Sequence, residues 1–268
     1  MKKAVPGRAW YFVDEAGDPS FYGKGNRLIV GNDGCSRVLI LGFVEILDPL
    51  PIRRELLRLQ EYVTTHPYFQ KEPHRSRTAV AFHAKNDLPE VRYLVFDLIK
   101  TFDVRAEFIV ARKIEHIFIE HDDKKQNNFY DYLVSRLFEQ TLRRHEDNLL
   151  YFAQRGSKTR QQPLANAIKK GIERNASWQN GACSTKWSVQ AQTLGGEPCL
   201  SVVDYLCYAV YQAYEHRDMR FFETIRDKIS VVGDIYDHNA PCRWYNRRNK
   251  PFHIEKTTPL ELHSVKTE

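Results

Sequence analysis

The stretch "WYFVDEAGD", residues 10–18, constrains the fold more than any other part of the chain. Aromatic and β-branched residues that favour strands run straight into Asp14, Glu15 and Asp18, and Gly17 lets the chain turn. A strand this apolar belongs in the interior of a sheet, where an uncompensated carboxylate is costly. Its acids therefore need cationic side chains or a bound cation. Side chains alternate along a strand, so Asp14 and Asp18 are the candidates for that cation. Glu15 is expected on the opposite face, salt-bridged to a helix there.

The rest of the chain supplies a sheet to receive such a strand. Residues 10–16, "RLIVG" (27–31) and "SRVLILGFVEIL" (36–47) read as three strands of an antiparallel meander, the last two separated by the turn-forming "NDGC". "PIRRELLRLQEYVTTH" then places Ile52, Leu56, Leu59 and Val63 on one helical face. Residues 64–81 read as a polar surface excursion. Asp87 is the expected N-cap of a second helix with Pro89 in its first turn. Strands are predicted over 104–112, 148–154 and 186–194, and helices over 127–145, 160–175 and 198–216. "EHDDKKQNN" (120–128) reads as a polar loop, and the last forty or so residues mix strand and loop.

This order, βββαβαβα, predicts one α/β domain over residues 1–268 with a ribonuclease-H-like mixed sheet flanked by helices. Its core spans about residues 8–216, with insertions, and a C-terminal extension covers about 217–268. Order alone also admits other α/β folds.

Composition narrows the function classes. Hydrophobic residues at 42% and charged residues at 28% exclude a disordered or fibrous chain. The apolar runs are too short to span a bilayer, and no signal-peptide core follows "MKKAVPGRAW", so a cytoplasmic location is expected. Five scattered cysteines without a C-x-x-C spacing point to reduced thiols. A net charge of +6 fits a polyanionic partner. The sequence carries none of the motifs for a P-loop, a dinucleotide fold or an H-E-x-x-H zinc site.

Asp204 lies on the predicted helix 198–216, at the edge of the stripe Leu200, Val203, Cys207, Val210 and Tyr214. Taken alone, it reads as an acid capping a core tyrosine or pairing an arginine. Beside Asp14 it acquires a second meaning. Two-metal phosphodiester cleavage needs carboxylates from distant segments brought to one point, and Mg²⁺ favours hard oxygen ligands.

"YFVDEAGDPS", "FHAKND" (82–87) and "CLSVVDYLCYAV" (199–210), in this order, resemble the motifs of the domain of unknown function 3800 family of bacteria and archaea. The resemblance runs roughly from Trp10 to Tyr214. It implies a ribonuclease-H-like fold and a nuclease site dependent on Mg²⁺ or Mn²⁺. Asp14, Glu15 and Asp18 match the opening acids, His83 the histidine step and Asp204 the acid of the last helix. Ala16 departs from the family's usual serine, and Val202 and Val203 from its polar–apolar pair. A middle ligand is not identified: the strand ends offer Ala153, Gln154, Arg112 and Lys113, with Glu107 inside one strand and Glu115 just beyond it.

His83 reads either as a structural histidine or as a ligand or proton carrier. Lys113 reads as a solvent-facing strand-end lysine, with a charge beside a phosphate as the alternative. Two basic clusters are candidate nucleic-acid contacts. One holds Arg155, Lys158, Arg160, Lys169 and Lys170; in the other, Arg243, Arg247, Arg248 and Lys250 interleave with Trp244, Tyr245 and Phe252. The sequence thus supports a metal-dependent nuclease first, and next a nucleic-acid-binding or scaffold module that lacks part of the metal site. A third reading leaves the acids purely structural.

Overall fold

The opening run forms β1 (Val5–Ala16), which in the computed structural model lies inside a seven-stranded mixed sheet. The structure describes residues 5–260 except 33, 155–160, 180–184 and 238–239. The other strands are β2 (Val38–Ile46), β3 (Arg105–Arg112), β4 (His145–Ala153), β5 (Lys186–Gln192), β6 (Ile229–Asp237) and β7 (Ala240–Asn246). Their spatial order is β5-β4-β1-β2-β3-β6-β7. The strands β1, β2 and β3 pair antiparallel, and β4 and β5 continue parallel to β1. The order β3-β2-β1-β4-β5 is that of a ribonuclease-H-like sheet. The C-terminal extension adds β6 parallel to β3, and β7 antiparallel to β6.

The helices are α1 (Pro49–Thr65), α2 (His74–Val80), α3 (Pro89–Thr101), α4 (Glu115–Asp122), α5 (Gln126–Leu137), α6 (Gln161–Gln179), α7 (Cys199–His216) and α8 (Arg220–Thr224). Phe12, Ile40, Val44 and Phe108 share one core with α1, α3 and α7. The alternate residues Tyr11, Val13, Leu41, Phe43 and Ile109 share the other with α4, α5 and α6. Both faces are buried, which is why the central strands read as continuous apolar runs.

One bare backbone position lets α7 settle on the sheet. Gly42 pairs with Asp14 across β1 and β2. A Cβ there would lie 2.2 Å from the Phe108 ring and 3.2 Å from Cys207 Sγ. Cys207 in turn reaches the Asp14 carbonyl at 3.4 Å.

Several sequence expectations are corrected. "RLIVG" forms no strand; it contributes one isolated bridge, Tyr22–Leu28, within a loop closed by hydrogen bonds from Ile29 N–H to Phe21 O and from Gly23 N–H to Arg27 O. Left-handed Gly25 and Gly31 bend it away from extended geometry. The third meander strand is β3, after the helices. Residues 64–81 contain α2. The 127–145 helix stops at Leu137, because Arg144 is drawn to Glu45 and Glu107, and His145 Nε2 to Glu45 at 3.1 Å, where β4 begins. Residues 120–122 close α4, and Asp122 is buried rather than in a polar loop. Nearly the whole of α7 is buried, not a narrow stripe.

Candidate functional site

The pleat of β1 sends Asp14 to the α7 face and Glu15 to the α5 face. Asp14 is only 9% exposed and Asp204 8%. Cys207, one turn beyond Asp204 on α7, reaches the backbone carbonyl of Asp14 at 3.4 Å. Burial pushes the Cys207 thiol well up, and the nearby charges of Asp14, Asp204 and Glu15 push it further. Thus α7, which carries Asp204, packs against β1 at Asp14, and both predicted carboxylates lie on the α7 side of the sheet.

Asp204 is held by the "FHAKND" segment. Ala84 N–H donates to its Oδ2 at 2.7 Å, and His83 Nδ1 stands 3.6 Å from its Oδ1. No lysine or arginine pairs with Asp204 among the described residues. Burial pushes its carboxyl up to about 6, against the pull of His83 and the Ala84 N–H, while Asp87 adds to the push. Neither alternative expected for Asp204 alone, a tyrosine cap or an arginine pair, is what it makes. The His83 ring is 43% exposed, yet its Nδ1 is buried without a hydrogen-bond partner among the described residues.

The segment is clamped onto α7 by three side chains spaced for one helical face. Ser201 Oγ donates to Phe82 O at 2.9 Å, Asp204 accepts from Ala84, and Tyr205 OH donates to Asp87 Oδ2 at 2.6 Å. Asp87 also accepts from His83 N–H at 2.8 Å and from Thr78 Oγ1 at 3.0 Å. It does not cap α3, whose N-cap is Leu88 with no side-chain bond. Burial raises the Asp87 carboxyl, and these donors oppose the rise. Sequence reasoning missed Ser201, Tyr205 and Asp87 as a unit. Their signal is the i, i+3, i+4 spacing of polar groups on an otherwise apolar helix.

The remaining predicted site residues lie elsewhere. Glu15 accepts a hydrogen bond from Tyr130 OH of α5 at 3.3 Å. Asp18 is exposed past the Gly17 turn, and its Oδ1 accepts from Ser20 N–H at 2.6 Å. Gly17 is required there: its φ is +99°, and a Cβ would lie 2.4 Å from Val38 O. Lys113 is buried, not solvated. Its Nζ donates to Asp18 O, Ser20 O and Cys35 Sγ at 2.8, 2.7 and 2.9 Å, fixing the loop after β1. Burial lowers its ammonium, and Cys35 and Asp18 oppose the fall. Arg112, fully buried, forms a bidentate pair with Asp234 of the extension. One residue beyond the Val13–Phe152 pair, Ala153 lies alongside Asp14. Glu107 is paired to Arg105 and Arg144, and Glu115 accepts from Tyr22 OH.

Arg155, Lys158 and Arg160 lie outside the described residues, and Lys169 is exposed on α6, 3.8 Å from Glu173. In the second basic cluster Tyr245 and Phe252 are core residues, which removes them as stacking platforms. Arg243 donates to Lys256 O at 2.7 Å. Arg247 and Arg248 flank a groove where β2 and β7 end, at the opposite end of the sheet from Asp14.

Among the described residues, no three His, Cys, Asp or Glu side chains are gathered closely enough to hold a metal ion by themselves. Mg²⁺, however, is commonly held by one or two carboxylates, with waters and substrate phosphates completing its shell. Asp14 and Asp204 are nearly buried carboxylates of the donor type that this lesser demand uses, and no lysine or arginine pairs with Asp204 among the described residues. No helix among the described residues is long and apolar enough to cross a membrane. No protein-family model matches the chain, and no curated protein matches it significantly.

Proposed function

We propose that this chain is a divalent-metal-dependent nuclease of the domain of unknown function 3800 family, hydrolysing phosphodiesters of DNA or RNA in the cytoplasm. Asp14 and Asp204 would hold Mg²⁺ or Mn²⁺. The observation that carries the reading is that α7, the helix of Asp204, packs on β1 at Asp14, where Cys207 Sγ lies 3.4 Å from the Asp14 carbonyl, in a ribonuclease-H-like sheet. The raised carboxyl of Asp204 adds support, because burial has left it short of positive charge. A bound cation supplies charge stabilisation to the phosphoryl oxygens and a more acidic water. The chain's own groups orient that chemistry. Ala84 N–H fixes one oxygen of Asp204, and His83, with Nδ1 3.6 Å from the other, would be the group to donate a proton to the departing 3′ oxygen. No protein nucleophile is needed.

The test is cleavage of labelled single- and double-stranded DNA and RNA in Mn²⁺ by wild type, Asp14→Asn and Asp204→Asn. Loss of cleavage in both folded variants is expected; cleavage retained in both overturns the reading. One observation favours a second reading, a nucleic-acid-binding module without catalysis: Ala153, not an acid, lies alongside Asp14. That reading predicts salt-sensitive binding, unchanged by Asp14→Asn, and no cleavage with any divalent ion.

A further inference from the structure

At the end of the sheet away from Asp14, a groove of about 740 Å³ is built from four separate segments. These are Leu47 after β2, residues 103–105 leading into β3, residues 227–231 leading into β6, and the turn 246–249 after β7. Its size falls among pockets that take a small organic ligand, roughly 300–1,000 Å³.

Four cations line it: Arg105, Lys228, Arg247 and Arg248. Three acids line it too, but two are already engaged. Glu45 is paired with Arg144 and His145 from outside the groove, and Asp227 lies 3.2 Å from Lys228. The balance left to a ligand is positive.

The cations are also set in place. Arg105 donates Nη2 to Glu107 at 2.8 Å and Nε to Ser230 Oγ at 3.0 Å, which orients its guanidinium and leaves three of its five N–H donors. Arg247 donates to Asp227 O. Asn246 Oδ1 accepts from the N–H groups of Arg248 and Asn249, at 3.1 and 2.8 Å, and so orders the turn that carries both arginines. Planar guanidinium forks suit phosphate oxygens better than point charges do. Beside them Leu47, 59% exposed, gives an apolar surface that no neighbour covers fully.

We infer that this groove binds a phosphate-bearing ligand of nucleotide size, with Arg105, Arg247 and Arg248 on the phosphates and Leu47 beside the apolar ring. The ligand is either a free nucleotide or the end of a nucleic-acid strand; the two share this chemistry. The inference does not depend on the metal site, which lies at the other end of the sheet.

The test is calorimetry without divalent ions, with three probes: adenosine triphosphate, a short single-stranded oligonucleotide carrying a 5′ phosphate, and the same strand without it. The proteins are wild type, Arg248→Glu and the double variant Arg247→Glu/Arg248→Glu, each checked by thermal melt. Wild type should bind a phosphorylated probe. The double variant should lose at least about tenfold in affinity and Arg248→Glu part of that, with a shallower salt dependence in both. Binding of the triphosphate, with displacement of the strand, identifies a free nucleotide; binding of the phosphorylated strand alone identifies a strand end. The inference is overturned if wild type binds neither phosphorylated probe, or if Arg248→Glu and the double variant both bind as wild type does.

Discussion

Asp204→Asn should make the protein more stable at neutral pH, not less, when divalent ions are absent. Burial raises the folded-state carboxyl from 3.8 to about 6. A carboxyl raised on folding contributes stability that is fully present below its unfolded pKa and is lost as pH rises through its folded one. Above pH 7, therefore, the ionised side chain costs up to about 3 kcal/mol. The amide keeps the acceptor for Ala84 N–H and carries no charge to desolvate. Linkage gives wild type back about 1.4 kcal/mol between pH 8 and pH 5, relative to the variant. Urea denaturation of both proteins in a chelator, at pH 8 and pH 5, reads this difference directly. Parallel pH dependences, or a variant less stable at pH 8, would refute the reasoning that Asp204 is a buried charge short of a counter-ion.

Tyr205→Phe removes one donor from the buried Asp87 carboxylate and should cost about 2 kcal/mol, with faster amide exchange over residues 82–87. Gly42→Ala forces a methyl into Phe108 and Cys207, and should cost roughly 1–3 kcal/mol in a urea melt by lifting α7 from the sheet. Lys113→Met leaves Asp18 O and Ser20 O without their buried donor, so exchange should quicken across residues 17–36 while the helices stay protected.

The sequence made β1 and its acids legible because local chemistry decides them: an apolar strand, a turn glycine and two carboxylates on opposite faces. The order of elements predicted the sheet for the same reason, since long periodic runs survive tertiary context. "RLIVG" misled because its apolar side chains sit on a backbone that two left-handed glycines bend into a loop. Asp87 has the chemistry of an N-cap, and Pro89 correctly marks the helix start, but the carboxylate bonds Tyr205, 118 residues away. Lys113 looked like a solvated strand-end lysine, and Arg112 only like a strand end without an acid. Arg112 pairs with Asp234, 122 residues on, and Lys113 donates to carbonyls of the loop after β1. Partners so distant leave no periodic trace, so the chemistry of a strand end is set by contacts that the strand itself does not announce.

The proposed metal site is tested most directly by calorimetric titration of Mn²⁺ into wild type and Asp14→Asn, with thermal melts of both. The account predicts saturable binding to wild type, no binding to a variant that melts like it, and a metal-induced rise in melting temperature confined to wild type. Equal binding to both proteins, or none to either, would contradict it.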